Sequence, residues 1–117
     1  MGSVIRVKWE REEMVALVDV FRRHQGQTGE KVDQDLEKLS AALGRRADTL
    51  GIRHDGKFRN LNGLHMQYMS LLYLESKGEY GLSSGSALMR DVLKIAHERP
   101  EDFEVLVEAF WKRYNLY

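Results

Sequence analysis

The chain has 117 residues with 18 basic and 18 acidic side chains, the length of one domain and no net charge, which excludes any global electrostatic pull toward nucleic acid or a membrane surface. It contains no cysteine, which excludes disulfides, cysteine zinc sites and thiol nucleophiles together and fits a reducing, cytoplasmic setting. No apolar run reaches the roughly 18 to 20 residues of a membrane span, and Met-Gly-Ser-Val lacks the charged and hydrophobic regions of a secretory signal, so a soluble protein is expected.

Trp9 opens the ordered part. From Glu10 to His24 the apolar residues Met14, Leu17, Val18 and Phe21 recur at helical spacing, with Glu10, Glu12 and Glu13 at the start and Arg22, Arg23 and His24 at the end, both in accord with the helix dipole. A loop with two glycines follows, at 25–29. Val32, Leu36, Leu39 and Leu43 mark a second helix, which runs past Gly44 to stop at Gly51 or is split by that glycine at a cost of about 1 kcal/mol. After a turn at 52–56 rich in His, Asp and Gly comes the stretch KFRNLNGLHMQYMSLLYL, from Lys57 to Leu74. Its leucines, methionines and tyrosines fall nearly all round a helical wheel, which predicts a buried central helix, ended by Lys77 and Gly78.

The loop EYGLSSGS, at 79–86, offers Ser83, Ser84 or Ser86 as N-cap of a fourth helix carrying Leu88, Val92, Ile95 and Ala96. Pro100, the one proline, suits the first position of a fifth helix, with Glu101 and Asp102 in its first turn and Phe103, Leu106, Val107 and Phe110 facing inward. The expected architecture is all-α: a single compact five-helix domain over 1–117 with a helix-turn-helix-like centre.

Catalytic constellations are not evident. His24, His54, His65 and His97 come from separate segments without metal-site spacing, and Glu101, Asp102 and Glu104 read as a helix start. GLSSGS is neither a phosphate loop nor a nucleophile elbow. The expectation is a protein without catalytic residues, metal or cofactor.

The cationic signal is stronger. Between Gly44 and Arg59 stand Arg45, Arg46, Arg53, Lys57 and Arg59 against Asp48 and Asp55, a local balance of five minus two, or +3. Cations gathered at a helix N-terminus are the way a helix-turn-helix module holds phosphate. Asn60, Asn62 and Gln67 carry amides able to read an adenine edge, and Asn60 doubles as a candidate N-cap. The candidate DNA-binding residues are therefore Arg45, Arg46, Arg53, His54, Lys57, Arg59, Asn60 and Asn62.

The early Trp9 with the segment FRNLNGLHMQYMSLLY resembles a Myb/SANT-type three-helix layout. The string KFRNLNG, a Met-containing helix and YGLSSGSAL resemble the N-terminal helical domain found ahead of HNH nuclease domains in bacterial restriction and phage-defence proteins. The matching residues are Trp9, Glu12, Phe58, Arg59, Asn60, Asn62, Gly63, Gly81, Leu82, Ser83, Gly85 and Ser86, which run from position 9 to position 86 of the chain. The resemblance implies a DNA-sensing module, with plain, methylated or phosphorothioate DNA as ligand and a nuclease domain or subunit as partner. A sulfur-reading cup would place Tyr80 or Leu82 beside Arg59. Leu61 stands where many relatives carry proline, and the chain contains no HNH core, so nuclease activity is not inherited. The competing expectation is an interaction or homo-oligomerisation adaptor that docks through Phe110, Trp111, Tyr114 and Tyr117.

Overall fold

The computed structural model describes residues 7–78 and 85–115. The protein is all-α, with helices α1 (Arg11–Arg23), α2 (Glu30–Thr49), α3 (Leu61–Glu75), α4 (Ala87–Glu98) and α5 (Pro100–Tyr114). All five contribute to one hydrophobic core. Gly44 does not split the second helix, which continues through it to Thr49. Ser86 is the residue that caps α4, its Oγ accepting from the Met89 N–H at 3.1 Å; Ser83 and Ser84 lie outside the described residues.

The helix around which the others gather is α1, not α3. Nine consecutive residues, Glu13 to Phe21, are buried, and α1 packs against each of the other four helices. In α3 only Leu64, Tyr68, Ser70 and Leu71 are buried, and Met66 is 54% exposed. The expectation of a third helix buried all round is thus corrected. Its apolar composition exceeds what its packing uses, whereas α1 buries even its Glu13 and Asp19. In α5 the inward stripe is Phe103, Val107, Phe110 and Tyr114, and Leu106, expected to face inward, is 39% exposed.

Three helices end on the same device. At the end of α2, Gly51 adopts φ 71°, its N–H donates to the Asp48 carbonyl and the Ile52 N–H reaches the Ala47 carbonyl at 2.8 Å, a Schellman closure that turns the chain sharply. After α1 and α3 the left-handed position is taken by Gln25 and Lys77, with Gly26 and Gly78 completing the closure.

Tyr68 joins α3 to the loop after α1. Its ring lies 5.1 Å from that of Phe21 and its hydroxyl donates to the Gln27 carbonyl. Burial pushes its pKa up to about 12. An unfolded tyrosine loses its proton near pH 10, so between about 10 and 12 the folded chain holds a proton that the unfolded chain has released, and stability falls as pH rises. Tyr68→Phe is expected to cost about 1 kcal/mol at neutral pH through removal of the hydrogen bond and to flatten that alkaline decline. Urea titrations at neutral pH and across the alkaline range check both parts; an unchanged decline would remove Tyr68 as its source.

Candidate functional site

The expected site lies on the connection between α2 and α3. This connection covers residues 50–60, eleven residues, where a helix-turn-helix takes three or four, so the helix-turn-helix-like centre is not found in the expected form. Nor does α3 start at Lys57. The segment before it is a pair of tight turns, with the Phe58 N–H on the Asp55 carbonyl and the Asn60 N–H on the Lys57 carbonyl. Arg59 then takes φ 47°, a left-handed conformation that no helix continues through. Asn60 follows as N-cap, its Oδ1 accepting from the Gly63 N–H at 2.8 Å. A Cβ on Gly63 would come within 3.1 Å of that same oxygen, so this glycine makes room for the cap rather than for a neighbouring helix.

Arg59 is the best-held side chain of the connection, and it faces inward. Nε and Nη2 donate to the two oxygens of Glu13 at 2.8 and 3.0 Å, a bidentate pair whose side chains are 8% and 1% exposed. Nη1 and Nη2 also donate to the carbonyls of Val7 and Lys8, each at 3.2 Å. The guanidinium carbon sits 4.3 Å from the Trp9 ring centre and 4.5 Å from that of Phe58, stacked against both. Ser40 on α2 donates its hydroxyl to the Arg59 carbonyl at 2.6 Å. One arginine therefore ties the start of α3 to α1, to α2 and to the segment before α1.

Arg46 is likewise internal. It is 5% exposed, with Nη1 3.0 Å from Glu10 Oε1 and Nε 3.4 Å from Glu12 Oε1. Burial acts against its charge, but the hydrogen bond to Glu10 and the attraction of Glu12 and Glu13 outweigh it and hold its pKa above the ordinary arginine value. The expectation that Arg46 and Arg59 offer charge to a phosphate is corrected on this ground, since both guanidiniums are engaged with α1 carboxylates. Removing them takes the local balance from +3 to +1.

What stays outward is a smaller set. Arg45, Arg53 and Lys57 are exposed and make no ion pair among the described residues, and Asn62 is exposed in the first turn of α3. The two acids of this region are engaged locally: Asp55 Oδ1 accepts from the Lys57 backbone N–H at 2.9 Å, and Asp48 Oδ1, at the end of α2, faces His54 Nε2 at 2.8 Å.

His54 has Nδ1 3.2 Å from the Asp55 carbonyl as well, so both ring nitrogens face acceptors, and its ring packs 4.8 Å from that of Phe58. A neutral imidazole donates from one nitrogen only, so the arrangement favours the imidazolium. The hydrogen bond to Asp48 leads in raising the His54 pKa above 6.5, with the Asp55 carbonyl second. The cation is thus more than half formed at pH 6.5 and is lost as pH rises through the higher folded value, bringing the local balance from +2 to +1. An NMR titration should place the His54 imidazole above 6.5, and Asp48→Asn should lower it; a value at or below 6.5 in the wild type would remove the bridge.

The partner that motif reading misses is Glu13. The acid matched there is Glu12, whose carboxylate goes to Arg46, whereas the carboxylate that meets Arg59 comes one residue later. The spacing 13 to 59 carries no local signal; the buried phase of Glu13 on α1, beside Met14 and Leu17, is the one trace of it. Tyr80, Leu82 and Tyr117 lie outside the described residues. Of the remaining C-terminal aromatics, Phe110 and Tyr114 are buried in the core, and Trp111 donates its indole N–H to Asp19 Oδ2 at 3.1 Å. They do not form an exposed aromatic face.

Among the described residues no group of three His, Asp or Glu side chains is placed to hold a metal ion, and no helix is long and apolar enough to cross a membrane. No family model, curated protein or solved structure matches this chain.

Proposed function

We propose that this protein is a cytoplasmic, non-catalytic DNA-recognition module of a bacterial restriction or phage-defence system, held to backbone phosphate by Arg45, Arg53 and Lys57 around the 50–60 connection. The observation that supports this reading is that these three cations are exposed and make no ion pair among the described residues, while the two neighbouring acids, Asp48 and Asp55, are engaged locally. The class of ligand comes from the resemblance of KFRNLNG and YGLSSGSAL to the domains that precede HNH nucleases. His54 adds charge when protonated, and the exposed Asn62 amide is the group chemically suited to an adenine edge. Asn60 gives its amide oxygen to the α3 cap, and Arg46 and Arg59 shape the connection from inside.

A gel-shift titration against plain, methylated and phosphorothioate duplexes at two ionic strengths tests the reading. The expected result is binding that weakens steeply with salt and with rising pH as His54 loses its proton. Binding that ignores salt, or no binding to any of the three duplexes, would overturn it.

A further inference from the structure

A second face carries a feature that shares no residue with the connection. Between α2 and α5, over α1, runs an open groove of about 820 Å³. Its α2 wall extends from Gln34 to Ala42 and its α5 wall from Glu104 to Tyr114, roughly 12 and 15 Å at 1.5 Å per residue. That length matches about eight to ten residues of a helix. The small residues Ala41 and Ala42 leave the groove its depth on one side, where Ala41 is exposed, and the half-buried Trp111 supplies apolar surface on the other, over the buried Val107.

The charge of the lining is one-sided. Asp19, Asp35, Glu37 and Glu104 stand against Arg23 and Lys38, four carboxylates to two cations, or −2 on a protein of zero net charge. Both cations are already committed: Arg23 bonds Asp19 at 3.1 Å and lies 3.5 Å from Asp35, and Lys38 sits 3.9 Å from Asp35. Glu37 on α2 and Glu104 on α5 are left exposed on opposite walls, with no ion pair among the described residues. The floor is the Arg23–Asp19 pair of α1, neutral as a pair, and the walls above it carry apolar surface with one unmatched carboxylate on each side, which is complementary to a helix with one apolar stripe and a cation along each edge.

We propose that this groove receives a short basic amphipathic helix from a partner protein, its apolar stripe on Ala41 and Trp111 and its lysines or arginines against Glu37 and Glu104. The probe is a labelled synthetic peptide of about twelve residues with leucine at i, i+3, i+4 and i+7 and lysine along both edges, titrated into the full chain. A scrambled peptide of the same composition serves as control. The striped peptide should bind saturably and the scrambled one roughly tenfold more weakly. Glu37→Lys with Glu104→Lys should weaken the striped peptide by roughly tenfold or more while leaving the melting temperature unchanged, because both side chains are exposed. Replacing Arg45, Arg53 and Lys57 with alanine should leave peptide binding unchanged, which separates this inference from the DNA reading. Equal binding of the scrambled peptide, equal binding by the charge-reversed protein, or no saturation would overturn it. So would a concentration-dependent dimer that the same charge reversal dissolves, since the groove would then belong to a second copy.

Discussion

Arg59→Ala should lower the stability of this domain by about 3–5 kcal/mol, because it leaves the Glu13 carboxylate buried, 1% exposed, without the cation that neutralises it. The loss has several sources that act together. The bidentate pair goes, the stacking between Trp9 and Phe58 goes, and the Val7 and Lys8 carbonyls are left without their donor. For a domain whose total stability is of the order of 5–15 kcal/mol, this is a large share. With a urea slope of about 1.5 kcal/mol per molar, the unfolding midpoint should fall by roughly 2–3 M. Arg59→Lys should recover little, since an ammonium can neither bridge both oxygens nor stack between two rings. Arg59→Gly separates backbone from side chain. Glycine relieves the left-handed φ of 47°, worth about 1 kcal/mol, so it should be less damaging than alanine by that amount and still far below wild type. Replacing both partners, Arg59→Met with Glu13→Leu, should restore part of the loss, because no buried charge is then left alone. A midpoint for Arg59→Ala within error of wild type would show that the pair contributes no net stability.

That cluster also accounts for much of what the residue pattern discloses and what it conceals. The apolar stripes of the helices, the cap at Asn60 and the proline at the start of α5 are local, and local chemistry is what periodicity and capping rules read. Hydropathy alone could not rank the helices by burial. Of the five helices α3 is the most apolar, yet α1 lies at the centre, because its two buried acids draw on partners far away in sequence. Glu13 is met by Arg59 and Asp19 by Trp111, in addition to Arg23 one turn further along α1. A carboxylate with a distant partner looks like a solvent-facing residue until the partner is seen. The same effect hid the true size of the cationic patch. Counting arginines between Gly44 and Arg59 treats each as a free charge, but Arg46 and Arg59 are cancelled by Glu10, Glu12 and Glu13 from the start of α1. The resembling residues Trp9, Phe58, Arg59 and Asn60 accordingly have a structural explanation of their own: they build the joint that positions the exposed cations.

The variant that tests DNA binding must therefore leave Arg59 in place. Arg45→Ala, Arg53→Ala and Lys57→Ala together remove only exposed side chains with no ion pair among the described residues, so the thermal midpoint should shift little. Removing one cation from a phosphate should reduce the slope of log affinity against log salt by about 0.9, and removing three should reduce it by about 2.7. Across a fourfold change in salt, from about 50 to 200 mM, a term of that size changes affinity roughly 40-fold. The wild-type protein should show at least that dependence, and the triple variant should lose most of it, binding weakly and nearly independently of salt. Asn62→Ala is expected to behave differently, weakening some sequences more than others while leaving the salt slope intact, as a group on a base edge does and a group on a phosphate does not. A triple variant with the wild-type slope would overturn the assignment of phosphate contact to Arg45, Arg53 and Lys57. If instead the slope falls with the three cations and is restored in part by Lys57 alone, the last turns of the connection, beside the N-terminus of α3, are where the backbone is held.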